Sequence, residues 1–123
     1  MQPTQKIELP IAVRKFELES AHGAPATPVT ATLYPPTFSD DGKHWLCPYE
    51  IVGLSRDKRG YGAGEDAMQA ILLALARMGT ELYCAGEAKE GRLKWLGADQ
   101  LGFPSFSRDL IKAPDEHVQT YFV

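Results

Sequence analysis

The chain of 123 residues has little of what marks specialised chemistry. No apolar run approaches the roughly 20 residues that a membrane span needs, so no membrane partner is expected. The opening Met1-Gln2-Pro3-Thr4-Gln5-Lys6 is polar with no apolar segment behind it, so no secretory signal is expected and the cytoplasm is the expected location. Two cysteines, Cys47 and Cys84, and three histidines stand at no zinc-ligand spacing. Neither a metal nor a cofactor is expected. In a cytosolic setting both thiols stay free, and both are read as core residues because free cysteine is commonly buried. A formal charge of −3 argues against a general nucleic-acid binder. Only a local basic patch of Arg56, Lys58, Arg59, Lys89, Arg92 and Lys94 would speak for one.

What is present is an ordinary globular composition, 44% apolar and 24% charged. It divides into a polar, flexible lead-in over 1–10, a single domain over 11–104, and a tail over 105–123 that is expected to dock. Ile11 to Glu19 reads as a first strand. Its apolar phase shifts, with Ile11 and Val13 on one face and Phe16 and Leu18 on the other, which calls for a bulge near Arg14-Lys15. Thr27 to Tyr34 alternates Val29, Ala31 and Leu33 with polar residues, the mark of one buried face. Lys43 to Val52 places Trp45, Cys47, Tyr49 and Ile51 on a second buried face. Pro48 lacks an N–H, which points to an edge position or a bulge. Ser55 to Tyr61 is either a short fourth strand or a loop.

The period then changes. Met68, Ile71, Leu72, Leu75, Met78 and Leu82 recur at helical spacing over Gly64 to Ala85, a helix of about 22 residues and roughly 33 Å. Glu65 and Asp66 suit its first turn, and Gly86 its C-terminal cap. Ala70, Leu73, Ala74 and Ala76 make the other side small or apolar, so a second layer is expected over it. Arg92 to Leu96 reads as a short strand and Gly97 to Pro104 as an ordered loop. The order of elements defines α+β: an antiparallel sheet of three to four strands with one long helix on one face.

The stretch Arg56 to Asp66, RDKRGYGAGED, sets three basic residues and three alternating glycines ahead of that helix. It is not the dinucleotide pattern G-x-G-x-x-G, and it lacks the Lys-Ser/Thr pair of a P-loop. A helix start attracts anions, but Glu65 and Asp66 already crowd this one. Two readings remain: glycines that permit the turn from sheet to helix, or a protein-binding loop anchored by Arg56, Arg59 and Tyr61.

Catalytic constellations do not assemble. His44 and Cys47 are three apart on a strand and point to opposite faces. Cys47 would need His22 or His117 brought in by the fold. Asp40-Asp41 belongs to a turn. Glu50 gains interest beside Arg56 or Arg59 if the chain doubles back after Gly53-Leu54; the plainer reading is a cross-strand ion pair on the wet face, worth little. Trp45 and Trp95 are packing residues, unless Trp95 is exposed and marks a binding surface.

The blocks CPYEIVGL (47–54), YGAGEDAMQAILLALARMGTELY (61–83) and WLGADQLGFP (95–104) together resemble a family of small bacterial proteins of uncharacterised function. The resemblance implies a stand-alone bacterial, cytosolic domain and supplies no catalytic residues. The expected role is a non-enzymatic protein-interaction domain, immunity-like or homodimeric, with Glu50, Arg56, Arg59, Tyr61 and Trp95 as candidate binding residues. The alternative is a small-molecule site between sheet and helix, lined by Trp45, Tyr49 and Met68 with Glu50 or Arg59 at its mouth.

Overall fold

A computed structural model describes residues 9–103. Residues 1–8 of the expected lead-in and the whole expected tail, 105–123, lie outside the described residues. The fold is α+β. In chain order come β1 (Ala12–Leu18), β2 (Thr27–Leu33), β3 (Thr37–Phe38), β4 (Trp45–Val52), β5 (Lys58–Gly64), the long helix α1 (Ala67–Cys84), the one-turn α2 (Gly86–Lys89) and β6 (Leu93–Lys94). The six strands form one antiparallel sheet, against an expectation of three to four. The two-residue β3 has no counterpart among the expected strands; β6 falls within the short strand expected over 92–96, and β5 makes the open alternative over 55–61 a strand, shifted to 58–64, where glycine replaces the apolar half of the alternation.

β4 is central. It carries β5 along one edge; along the other lie β2 and then β3, with β1 beyond β2 and β6 beyond β1. Pro48 is therefore neither at a sheet edge nor in a bulge. It stands opposite Tyr34, where the partner strand breaks at Pro35-Pro36, and its carbonyl accepts the Tyr34 N–H at 2.9 Å. The reciprocal bond to the Tyr34 carbonyl is the one the missing N–H forgoes, and the Cys47 thiol donates to that carbonyl instead at 3.3 Å. The bulge expected in β1 is also absent: Ala12 to Leu18 pair without interruption against Leu33 to Thr27. The shifted phase is accommodated differently. Ile11 and Val13 stay on the outer face, each 49% exposed, and Arg14 takes the inner position that an apolar residue would have filled.

The inner face carries Phe16, Val29, Ala31, Leu33, Cys47, Tyr49 and Ile51, all buried, with Trp45 half-buried at the end of the row. On β5 the same face is made of Gly60, Gly62 and Gly64. These glycines are the landing strip of α1. A Cβ on Gly62 would collide with the backbone of Ala70 and Ala74, and one on Gly64 would fall 2.5 Å from the Ala70 nitrogen. The helix backbone thus rests on the strand backbone with only Ala70 and Ala74 between them, both fully buried. The expected apolar stripe is rotated accordingly. Met78 and Leu82 face the core, Ile71 and Leu75 flank it, and Met68 is 71% exposed. Of the residues assigned to a second layer, Ala70 and Ala74 are the ones that meet the sheet.

The helix begins later than expected. Asp66 is the N-cap, its carboxylate accepting the Gln69 N–H at 2.8 Å, while the Gln69 side chain accepts from the Glu65 N–H at 2.7 Å. This is a close relative of the capping box. Neither acidic residue lies in the first turn. At the other end Ala85, not Gly86, is the C-cap, and Gly86 opens α2. The buried Glu87 on α2 accepts the Ser55 N–H at 2.8 Å, which ties α2 to the β4–β5 turn and holds its carboxyl below the usual range. Cys84, expected in the core, is exposed, because it lies two residues beyond the buried Leu82 and so on the opposite side of the helix.

Gly62→Ala should destabilise the fold by about 1–3 kcal/mol or more, because the added methyl must push the helix backbone away. On an unroofed strand the same change would be neutral or favourable. Urea unfolding reads the sign. Tyr49 donates to Glu81 at 2.9 Å, and burial together with that carboxylate pushes its phenol from near 10 up to about 12. The fold favours the neutral phenol, so this contribution is intact below pH 10 and lost as pH rises towards 12. Tyr49→Phe should remove that part of the alkaline loss of stability; an unchanged alkaline limb would assign it elsewhere.

Candidate functional site

Because α1 occupies one side of the sheet, the alternate residues of every strand face the other way. Among the described residues no element covers that outer face. Strand register sets its rows. Val13, Thr32, Glu50 and Arg59 lie side by side across β1, β2, β4 and β5. Tyr34, Pro48 and Tyr61 form the neighbouring row, with Ile11 at its β1 end. On the far side, Lys15, Thr30 and Val52 form a third row.

Three of the candidate residues therefore meet here. Glu50 and Arg59 are direct cross-strand partners, with Arg59 Nε 3.3 Å from Glu50 Oε2. Tyr34 donates its hydroxyl to the other Glu50 oxygen at 2.9 Å. Tyr61 is half-exposed beside them. The Arg59 side chain is 83% exposed, so the ion pair contributes little to stability. It fixes the carboxylate in the middle of an open surface.

Arg56 and Trp95 do not join the cluster. Arg56 is exposed in the β4–β5 turn. Trp95 lies on the helix side of the sheet, half-buried, with the Arg14 guanidinium 3.9 Å above its ring. The small-molecule site expected around Trp45, Tyr49 and Met68 does not form. Tyr49 is 2% exposed, Met68 points to solvent, and Glu50 and Arg59 lie across the sheet from both. Within the basic patch, Arg59, Arg92 and Lys94 are each held by a carboxylate, Glu50, Glu90 and Asp99 respectively.

Residues that periodicity missed are Arg14 and Leu96. Leu96 is 86% exposed with φ 52, at the tip of a tight turn closed by Trp95 and Ala98 bonding each other at 2.9 Å. The two-residue Leu-Gly step between Trp95 and Ala98 is the only sequence signal for that turn. Two further titratable groups, Asp41 and Cys47, have structural partners. Asp41 accepts from the Ser39 hydroxyl and from the Lys43 N–H, which lowers its carboxyl and confirms its place in a turn. Cys47 donates its thiol to the Tyr34 carbonyl at 3.3 Å, and burial pushes it up to about 11, the opposite of what a nucleophilic thiolate needs. Among the described residues no group of three or more His, Cys, Asp or Glu is placed to hold a metal, and no helix is long and apolar enough to cross a membrane.

The model of a protein family described as Domain of unknown function (DUF6968) matches residues 12–105, and the chain belongs to that family. No curated protein and no solved structure matches it. The family assignment covers the whole sheet, α1 and the 95–103 loop, and its description names no activity.

The thiols give a direct check on the packing. In the native protein Cys84 should react promptly with a thiol reagent at pH 8 while Cys47 stays protected until the sheet opens. Equal reaction rates would place Cys47 outside the core.

Proposed function

We propose that this chain is a non-enzymatic protein-interaction domain that self-associates through the open face of its sheet. One observation carries the reading. Ile11, Val13, Val52 and Tyr61, exposed by 49%, 49%, 42% and 50%, share a face that no described element covers. An antiparallel sheet with one solvated face ordinarily turns polar residues outward. Here large apolar side chains ring the Tyr34–Glu50–Arg59 cluster instead.

The face also carries charges of both signs, with Lys15 and Arg59 against Glu17 and Glu50. It is near neutral, so a second copy related by a two-fold axis can oppose it without net repulsion. Two such sheets stack about 10 Å apart with their strands roughly aligned. The face is four strands wide and about 20 Å along the strands, small beside the standard interface of about 800 Å² per partner. Association is accordingly expected to be weak and concentration-dependent. The clustering of Glu50, Arg59 and Tyr61 supports the same surface, since Arg and Tyr are favoured at the centres of contacts.

Sedimentation equilibrium across the micromolar range tests this. The expected result is a reversible monomer–dimer equilibrium. Val13→Glu and Tyr61→Glu, each checked for an unchanged circular dichroism spectrum, should shift it to monomer, whereas Lys89→Glu on α2 should not. A native chain that stays monomeric throughout would sink the reading. A dimer indifferent to both substitutions would move the contact to another surface.

A further inference from the structure

The glycines of β5 pull α1 down onto one side of the sheet, and this leaves the helix standing away from β1. The 95–103 loop closes most of that gap with Leu101, which is fully buried, and Phe103, which stacks on Phe16 at 6.3 Å. Between loop and helix a cavity of about 200 Å³ remains. Its floor is Ala12 and Ala31 on the sheet, and its walls are Leu75 and Met78 of α1 and Phe103 of the loop. The floor positions are small, so the sheet does not fill the space.

Arg14 is the charged residue in this lining. Its Nη1 donates to the carbonyls of Gly102 at 2.9 Å and Leu101 at 3.3 Å, and its guanidinium rests on Trp95. Gly102, at φ 79, allows that approach: a Cβ there would fall 2.6 Å from Arg14 Nη1. Two neutral carbonyls and a ring face hold the guanidinium in place without neutralising it. No carboxylate among the described residues pairs with it. A guanidinium has five N–H donors in a planar fork suited to a carboxylate. It is fixed in place beside an apolar cavity.

We propose that this cavity binds a small monocarboxylate with an apolar aliphatic or aryl body, the carboxylate on Arg14 and the body between Leu75, Met78 and Phe103. The volume lies below the ~300 Å³ of drug-sized pockets, which limits the ligand to a compact acid. The cavity lies on the helix side of the sheet, though β1 borders it at Val13; Tyr61→Glu, outside that lining, tests self-association and the native chain tests the ligand, so either can fail without the other.

The test titrates the full chain with 3-phenylpropionate and, separately, with 3-phenylpropan-1-ol, following backbone amide resonances and melting temperature. The acid should bind saturably, shift the amides of Ala12, Ala31 and Met78, and bind at least about tenfold tighter than the alcohol, the order expected for a charge-assisted hydrogen bond. Arg14→Gln should bring the acid down to the affinity of the alcohol. Because Arg14→Gln also loosens the loop, the comparison of acid with alcohol on the native chain decides independently. No saturable response to the acid, equal binding of the alcohol, or shifts confined to other residues would each overturn the proposal.

Discussion

The contact on which the rest of the structure depends is the one between the backbone of α1 and the backbone of β5. Helices usually stand off a sheet by the length of two interlocking side chains. Here Gly62 and Gly64 contribute nothing and Ala70 and Ala74 contribute one methyl each. Such an approach has no slack, since close-packed interiors resist even one added methylene. It fixes where the helix lies and how it is rotated. On the far side, where β4, β2 and β1 carry Tyr49, Leu33 and Phe16, the layers diverge like the faces of a wedge. The 95–103 loop fills that wedge, and Arg14 binds the loop to the sheet. The outer face, which no described element covers, is the other consequence, since among the described residues α1 and the 95–103 loop cover the inner side.

Side chains that read as chemistry are occupied with this arrangement. Glu81 satisfies the buried Tyr49 hydroxyl, and Arg77 reaches over the edge of β5 to donate to the Tyr61 carbonyl at 2.8 Å. A charged side chain on an edge strand is a common guard against pairing with another chain. That guard is one reason to place self-association on the face of the sheet and not on its β5 edge. Glu87 holds a loop amide, Asp41 a turn, and Cys47 a backbone carbonyl. These groups are paired locally, whereas Arg14 meets no carboxylate among the described residues and stands beside a space.

Much of the fold was legible. The two long alternating strands, the buried Cys47–Tyr49–Ile51 face and the long helix followed from periods of two and of about 3.6. The Glu50–Arg59 pair followed from one turn in the chain. What was not legible shares a physical cause. Apolar periodicity weighs a side chain by its size, so it chose Met68 and Leu72 over Ala70 and Ala74. The sheet chose by proximity, and small residues permit the closer approach. The glycines of β5 were read as freedom of the backbone when their use is absence of volume. The phase of β1 misled for a related reason: a strand whose outer face no described element covers can keep Ile11 and Val13 there, with no bulge to tuck them in.

Candidate residues divided along the same line. Glu50, Arg59 and Tyr61 came together because cross-strand register follows from neighbouring strands. Trp95 is half-buried against the core, as a packing residue would be, but nothing local says that a loop some eighty positions beyond Arg14 will return to cover that arginine. Yet that return gives the basic residue its meaning. An arginine at an inward-facing strand position would ordinarily be costly, because burying an unpaired charge forfeits hydration that neutral partners only partly replace. The ring of Trp95 and two loop carbonyls lower that cost without removing the charge. A chain needing only a filled wedge would do better with leucine at this position. The retained guanidinium, set against a space that the small floor residues leave open, is the feature that separates a binding cavity from a packing defect.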